Sequence, residues 1–216
     1  MPKSVNPVVT VRSVVSAIPD FGIAATFLLT WLNPERFGQR AVAHLVGIML
    51  LEFIVIHSSA FMGQVALSKE SRRMKARAIL AFGTFYSLFA GGFALSLKSW
   101  WPFAAFWLLT ANRLLRVTMG GLPTKQEKRL MHSGWVLTTL FYMGFTALTI
   151  FVPVPEFGIT RDVARAQEFS GDGLWEKEPH RVVASGFLYF TSLGVAGIFA
   201  DRLARGSLGD LEMTSQ

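Results

Sequence analysis

Long apolar runs separated by short polar segments follow one another along the chain. Each run approaches the roughly 20 residues that an α-helix needs to cross about 30 Å of hydrocarbon. The runs are continuous and lack the alternating pattern of a membrane β-barrel. The pattern predicts an all-α, polytopic membrane protein in which residues 1–216 form one transmembrane helical bundle. Six spans are predicted, at residues 14–32, 41–62, 78–97, 102–119, 134–152 and 182–203.

The first predicted span is interrupted by Pro19 and Asp20 in its first third. Two structures fit this interruption. One is a single helix kinked at Pro19, and the other is an interfacial segment at residues 8–18 followed by a short span capped by Asp20. We predict six spans. The alternative is five spans, in which this first segment does not cross and the N-terminus lies outside.

The Lys and Arg residues divide unevenly between the two faces of a six-span chain. Fourteen of the 21 lie on the face that carries both termini, and seven lie on the face that carries the long loop, residues 154–180. Because basic short loops stay in the cytoplasm, both termini are predicted to be cytoplasmic, in a multi-pass protein of the cytoplasmic (inner) membrane. Topology thus accounts for the net charge of +7, and no nucleic-acid partner is predicted.

Composition and motifs exclude several kinds of site. The chain has no cysteine, which rules out disulfides, thiolate metal sites and iron–sulfur clusters. A serine-hydrolase elbow, a zinc-protease motif and a glycine-rich phosphate loop are also missing from the sequence. No catalytic residue, metal site or cofactor is therefore predicted, and an enzyme is not favoured.

Ionisable side chains inside an apolar span are costly, so each one indicates a structural pairing or a functional site. Glu52 is the twelfth residue of the second predicted span, and Arg113 is the twelfth residue of the fourth, which runs in the same direction. At about 1.5 Å per residue the two side chains are predicted at similar depth, with Asn112 adjacent. The pattern predicts a buried Glu52–Arg113 ion pair. The alternatives are a proton or ion site with His57 and Asp20 nearby, or a polar contact to a lipid headgroup or another subunit.

Histidines in the spans raise haem binding as an alternative. His44 and His57 are thirteen residues apart, so at about 100° per residue they point about 140° away from each other. Each would need a partner on another helix, His180 for His44 and His132 for His57. The alternative is that His44, His132 and His180 are interfacial polar residues, and that His57 joins the two serines after it in a hydrogen-bonded cluster.

Three functions remain open from the sequence. The preferred one is a non-catalytic accessory or structural subunit of a larger membrane complex, with a short amphipathic helix at residues 160–169 and Trp175 docking on a partner. The second is a small proton- or ion-coupled transporter or channel that uses Glu52. The third is a haem-binding membrane redox protein. The expected partners are membrane lipids, together with other membrane subunits or further copies of the chain.

Overall fold

The computed structural model describes residues 11–119 and 124–213, and within these it describes all side chains except those of residues 11–13, 125–127, 130 and 200–213. All regular structure in the described residues is helical, which confirms the predicted class. The elements are α1 (Val11–Leu32), a 3₁₀ helix (Pro34–Phe37), α2 (Ala41–Leu67), α3 (Arg72–Ser96), α4 (Trp101–Met119), α5 (Lys125–Phe151), α6 (Arg161–Ala166), α7 (Leu174–Lys177) and α8 (Pro179–Met213).

The chain is a multi-pass membrane protein. Five described helices are long and apolar enough to cross a membrane, over Val14–Leu32, Ala41–Leu67, Arg72–Ser96, Met131–Phe151 and Pro179–Phe199. Helix α4 is outside this group because Asn112, Arg113 and Arg116 lower its hydropathy.

The helices follow the predicted spans but mostly run longer. Helix α1 continues through Pro19, so Asp20 lies inside a helix and does not cap one. Helix α2 extends to Leu67 through Gly63, since one glycine in a helix costs only about 1 kcal/mol. Helix α3 begins before the apolar run. Ser71 is its N-cap residue, and the Ser71 side chain accepts a hydrogen bond from the backbone N–H of Met74. The additions to α3 and α5 are polar helix ends, which an apolar-run criterion does not detect.

Helix α2 lies at the centre of the bundle and contributes to both apolar clusters of the described core. One cluster joins α2 to α1, α5 and α8, and includes Phe27, Met49 and Tyr189. The other joins α2 to α3 and α4, and includes Ile54 and Phe106. Polar groups on different faces of α2 are therefore placed in two different environments.

Basic side chains from neighbouring helices bind the C-terminal carbonyls of four long helices. The last carbonyls of a helix have no partner within it, and in a membrane few waters replace that partner. The four contacts are Lys75 Nζ to Ala66 O at 2.9 Å, Arg40 Nη2 to Leu97 O at 2.7 Å, Arg72 Nη1 to Thr118 O at 3.2 Å and Arg181 Nη1 to Thr149 O at 2.8 Å.

The segment 152–178 contains α6 and α7 and packs on one end of the bundle, which we call the loop face. Helix α6 confirms the predicted short helix within this segment, and Thr160 caps it. Gln167 is buried, donates to Gln39 O at 2.9 Å and accepts from Ala43 N at 3.1 Å. Since Ala43 N–H is one of the unpaired donors at the start of α2, Gln167 both fixes the loop and caps α2.

Helices α1 and α8 pack antiparallel at close range. Phe27 is fully buried against Gly186, and Phe21 lies against Gly194. A Cβ atom on Gly186 would lie 2.1 Å from Phe27 Cε1, far inside van der Waals contact. Glycine at position 186 therefore sets the separation of these two helices.

Candidate functional site

Glu52 lies near the middle of α2 and faces three other helices. Its carboxyl group interacts electrostatically with Asp20 of α1 and with the hydroxyl groups of Tyr142 of α5 and Tyr189 of α8. Glu52 and Asp20 each retain partly accessible surface. The structure therefore brings together two predicted site residues, Glu52 and Asp20, and adds two tyrosines to them.

The two tyrosine hydroxyls differ in their hydrogen bonding. Tyr142 Oη donates to Met49 O at 2.9 Å, one turn before Glu52 on α2. The Tyr189 ring packs edge-on against Tyr142, with ring centroids 5.6 Å apart. Tyr189 is fully buried, and its hydroxyl interacts with the carboxyl group of Glu52. Tyr189 thus places its hydroxyl group next to a carboxyl group.

Glu52 and Arg113 do not form the predicted ion pair. Trp101, at the start of α4, lies against Gly47, where a Cβ atom would be 3.0 Å from Trp101 Cζ2. Helix α4 therefore begins at the depth of the seventh residue of α2, whereas the prediction assumed that the two helices begin at the same depth. Twelve residues later, Arg113 lies level with Ser59, about 10 Å along α2 from Glu52. The prediction was wrong because equal position within two apolar runs does not mean equal depth.

Arg113 binds polar groups of α2 instead. Its Nη1 donates to Ser58 Oγ at 3.1 Å and contacts Met62 Sδ at 3.1 Å, and its Nη2 donates to Ser59 Oγ. Both serines also donate to Val55 O, one turn earlier on α2. Arg113 therefore joins α4 to α2 through hydroxyl groups, at a level separate from Glu52.

The ion pairs among described side chains all lie at the loop face and do not include Glu52. They are Lys98–Glu168 at 3.2 Å, Arg165–Asp162 at 3.4 Å, Lys177–Asp172 at 3.4 Å and Arg181–Glu178. The carboxyl group of Glu52 thus has no ion-pair partner among the side chains that the structure describes.

The other predicted polar residues lie away from Glu52. Asn112 is exposed on α4. His57 is exposed, its Nδ1 lies 3.0 Å from Phe53 O of its own helix, and it does not join the serine cluster. His44 is exposed near Trp101, with ring centroids 6.4 Å apart, and His132 is exposed near Trp135.

His180 is buried at the start of α8, beside a cleft of about 420 Å³ in the loop face. The cleft is lined by both acidic and basic residues, among them Glu156, Arg161, Glu176 and Glu178. Arg181 donates to Glu178, and this hydrogen bond lowers the pKa of the Glu178 carboxyl below its ordinary value of 4.5. Among the described residues, no group of three or more His, Asp or Glu side chains is arranged to hold a metal ion.

Comparison of the chain with protein-family models, with curated proteins and with solved structures finds no match. The function must therefore be argued from the residues around Glu52.

Sequence reasoning missed Tyr142 and Tyr189, although a signal was present. The chain has only three tyrosines. Tyrosine in membrane proteins is enriched at the two interfaces, where its hydroxyl reaches water. Both missed tyrosines lie well inside predicted spans, and that depth indicates a polar partner within the bundle.

Proposed function

We propose that this chain is a small proton- or cation-coupled transporter or channel, with Glu52 and Asp20 as its ion-binding groups. The observation that supports this proposal most strongly is the position of Glu52, at the centre of the bundle and near a second carboxyl group. A carboxyl group inside a membrane is expensive to keep and is by default the first candidate for a functional site.

The electrostatic repulsion between Glu52 and Asp20 favours ion binding over a structural ion pair. Two negative charges repel each other strongly where the dielectric constant is low, and a shared proton or small cation removes that repulsion. A structural ion pair at Glu52 would call for a basic partner, and Arg113 is bound to Ser58 and Ser59 instead.

The accessory-subunit interpretation stays the alternative, with less support than the sequence suggested. One feature that fitted it was docking of the short helix at residues 160–169 and of Trp175 on a partner. Val163, Phe169 and Trp175 pack against the apolar cluster of this chain's own bundle. Co-purification of another membrane protein in a fixed ratio after gentle extraction would favour the alternative.

We also propose that α4 is a sixth span. It lies antiparallel to α3 over the whole length of that helix, which is itself long and apolar enough to cross. Contacts at both ends and in the middle link Arg72 to Thr118, Gly83 to Thr110 and Gly91 to Phe103. Six crossings place both termini on the face opposite the loop, and the excess of basic residues there makes that face cytoplasmic.

Proton flux into vesicles tests the proposed function. The purified chain is reconstituted into liposomes, a potassium gradient with valinomycin sets the potential, and an internal dye reports pH. The E52Q variant keeps the shape of the side chain and is expected to lower the flux by about tenfold or more. The matched control is E35Q, which removes a carboxyl group exposed at the loop face and is expected to leave the flux unchanged.

Two outcomes would overturn the proposal. One is a wild-type flux of protons, and of sodium or potassium ions in parallel assays, no greater than that of empty liposomes. The other is an E52Q variant that folds and conducts like the wild type. Circular dichroism and gel filtration in detergent establish that each variant is folded before its flux is compared.

A further inference from the structure

We infer that the cleft in the loop face binds a small zwitterion, with a primary ammonium group at one end and an oxyanion at the other. A free amino acid and the head of a phosphatidylethanolamine lipid share this chemistry. The ammonium group binds Glu156, the oxyanion binds Arg161, and His180 supplies a further hydrogen-bonding group. The inference is independent of the proposed function, because the cleft and the Glu52 site share no residue.

The cleft has the size and the lining of a small-molecule site. Its volume is about 420 Å³, and it lies between the segment 152–178 and the start of α8. Sites for small ligands are typically about 300–1,000 Å³, with an apolar lining and a few polar groups. Ile159 and Ala164, which are both buried, form an apolar wall together with Phe169. Charged groups and an apolar wall are thus combined in one concave surface.

His180 is the polar side chain of the cleft that the protein encloses most. It is only 6% exposed, and its ring makes no hydrogen bond with the residues that the structure describes. An imidazole carries at least one N–H donor, and buried polar groups nearly always have a partner. The ring nitrogens are not sealed within the protein, and the cleft is the surface that His180 lines. The partner that His180 lacks must therefore come from within the cleft.

Two charged side chains of the cleft have no partner among the described residues. Four others already belong to ion pairs of the loop face: Arg165, Glu168, Lys177 and Glu178. Glu176 accepts hydrogen bonds from a serine hydroxyl at 3.0 Å and from a backbone N–H at 2.9 Å. Glu156 and Arg161 remain, one negative and one positive. Either one alone would be an ordinary solvated charge, but both line the same cleft as the buried imidazole.

Glu156 and Arg161 both lie near the start of α8. The carboxylate of Glu156 interacts electrostatically with His180, and the guanidinium of Arg161 interacts with Glu178, two residues before His180. The chain turns between them, where Ile159 N donates to Glu156 O at 2.9 Å. The turn explains how residues five positions apart come to line one cleft.

The wall that carries Glu156 is held in place by the end of α1. Trp31 Nε1 donates to Pro155 O at 2.9 Å, and Gly158 N donates to Trp31 O at 3.0 Å, so the chain is fixed on both sides of Glu156. Phe157 has a φ of 45°, which bulky residues rarely adopt, and its ring centroid lies 4.9 Å from that of Trp31. Residues held in such conformations cluster at functional sites. A fixed wall also reduces the conformational entropy that a ligand must overcome on binding.

A zwitterion fits these groups better than an ion of one sign. A simple anion bound to Arg161 would be repelled by Glu156, and a simple cation bound to Glu156 would be repelled by Arg161. A primary ammonium group donates three hydrogen bonds, whereas a trimethylammonium group donates none and is usually bound by a cage of aromatic rings. Phe169 is the only phenylalanine, tyrosine or tryptophan that lines the cleft. The lining therefore favours a primary ammonium group.

The cleft lies where the membrane meets water. Two of its lining residues, Pro179 and His180, are the first residues of the apolar stretch of α8 that is long enough to cross a membrane. Glu156 and Arg161 lie outside the apolar stretches and are exposed. Lipid headgroups lie next to the ends of such spans. Both a dissolved amino acid and a lipid headgroup can therefore reach the cleft.

Two binding measurements on the purified full chain distinguish these sources. Isothermal titration calorimetry in detergent uses glycine, L-alanine and O-phosphoethanolamine, with glycine betaine as the N-methylated control. Native mass spectrometry measures bound phosphatidylethanolamine, with phosphatidylcholine of the same acyl chains as the control. At least one primary-ammonium probe is expected to bind, about tenfold or more tightly than its N-methylated control.

The variants E156Q and R161Q test which residues hold the two ends of the ligand. Each removes one charge from an exposed side chain and is expected to weaken binding by about tenfold or more. The matched controls are E35Q and R36Q, which change exposed residues of the 3₁₀ helix that do not line the cleft. Both controls are expected to bind like the wild type. Circular dichroism establishes that each variant is folded before its binding is compared.

Each outcome supports or overturns the inference. Binding of the free probes alone identifies a dissolved ligand, binding of the lipid alone identifies a headgroup, and binding of both supports the shared chemistry. If no primary-ammonium probe binds, or if the N-methylated controls bind as tightly, the inference is wrong. It is also wrong if folded E156Q and R161Q both bind like the wild type, because the ligand then lies elsewhere.

Discussion

Replacing Gly186 with alanine tests whether the contact between α1 and α8 has the geometry described. The added Cβ atom would lie 2.1 Å from Cε1 and 2.5 Å from Cδ1 of Phe27. Carbon atoms in contact are normally about 3.5–4.0 Å apart. Phe27 cannot turn away freely, because it is fully buried and its ring centroid lies 5.6 Å from that of Phe190. The helices must therefore separate, or the Phe27 ring must leave its position.

The expected magnitude follows from overpacking and from helix propensity. Overpacking a core by one methyl group costs about 1–3 kcal/mol, and replacing glycine with alanine in a helix gains up to about 1 kcal/mol. Gly197 of the same helix has open space around it, so G197A receives the gain without the clash. G186A is therefore expected to be less stable than G197A by about 1–3 kcal/mol.

Thermal unfolding in one detergent, followed by circular dichroism, measures this difference. A second substitution that shortens the opposing side chain, G186A/F27L, is expected to recover part of the loss, with a coupling energy of about 0.5–3 kcal/mol. Equal unfolding midpoints for G186A and G197A would refute the packing. So would strict additivity of G186A and F27L, because residues in contact are expected to couple.

Three further predictions concern polar contacts. R113M removes charged hydrogen bonds and is expected to lower the free energy of unfolding by about 1.5–3 kcal/mol, measured by thermal unfolding. The control is R116M, at an exposed position, whose free energy of unfolding should stay within about 0.5 kcal/mol of wild type. Q167A releases the loop from α2 and is expected to speed amide hydrogen exchange of segment 152–178, with exchange in α4 unchanged. Glu178 has a lowered pKa in the folded state because of Arg181, so its contribution is present above pH 4.5 and is lost as the pH falls through the lowered value. The Glu178–Arg181 pair is partly exposed, so its contribution to the free energy of unfolding is at most about 1 kcal/mol. The E178Q variant is therefore expected to lose at most that much less stability than the wild type when the pH is lowered, as measured by thermal unfolding at a series of pH values.

Most of the helices were predictable from the sequence because a long apolar segment is typical of a membrane-crossing helix. The polar starts of α3 and α5 were not, since polar helix ends outside the hydrocarbon have the composition of loops. The position of α4 along α2, which decides which of their residues lie at the same depth, was also not predictable from the sequence. It depends on Trp101 packing against Gly47, a contact between residues far apart in the chain.

The candidate site was predictable in part, for a related reason. Glu52 and Asp20 stand out because charged residues are rare in apolar spans. Tyr142 and Tyr189 differ from other tyrosines only by their depth in the predicted spans, and their burial and mutual ring contact become visible only in the structure. Local rarity identifies the charged members of such a site, whereas the neutral members require the arrangement of the helices.

The separation of Glu52 from Arg113 decides which of the two charges needs a functional explanation. Arg113 is six residues from the end of α4, about 9 Å, and its guanidinium binds two hydroxyl groups there. A long basic side chain near a helix end is tolerated because it can reach the interface. Glu52 is eleven residues from the start of α2 and fifteen from its end, with a short side chain that reaches neither interface. Packing and capping explain Arg113, but they leave the carboxyl group of Glu52 to be explained by what it binds.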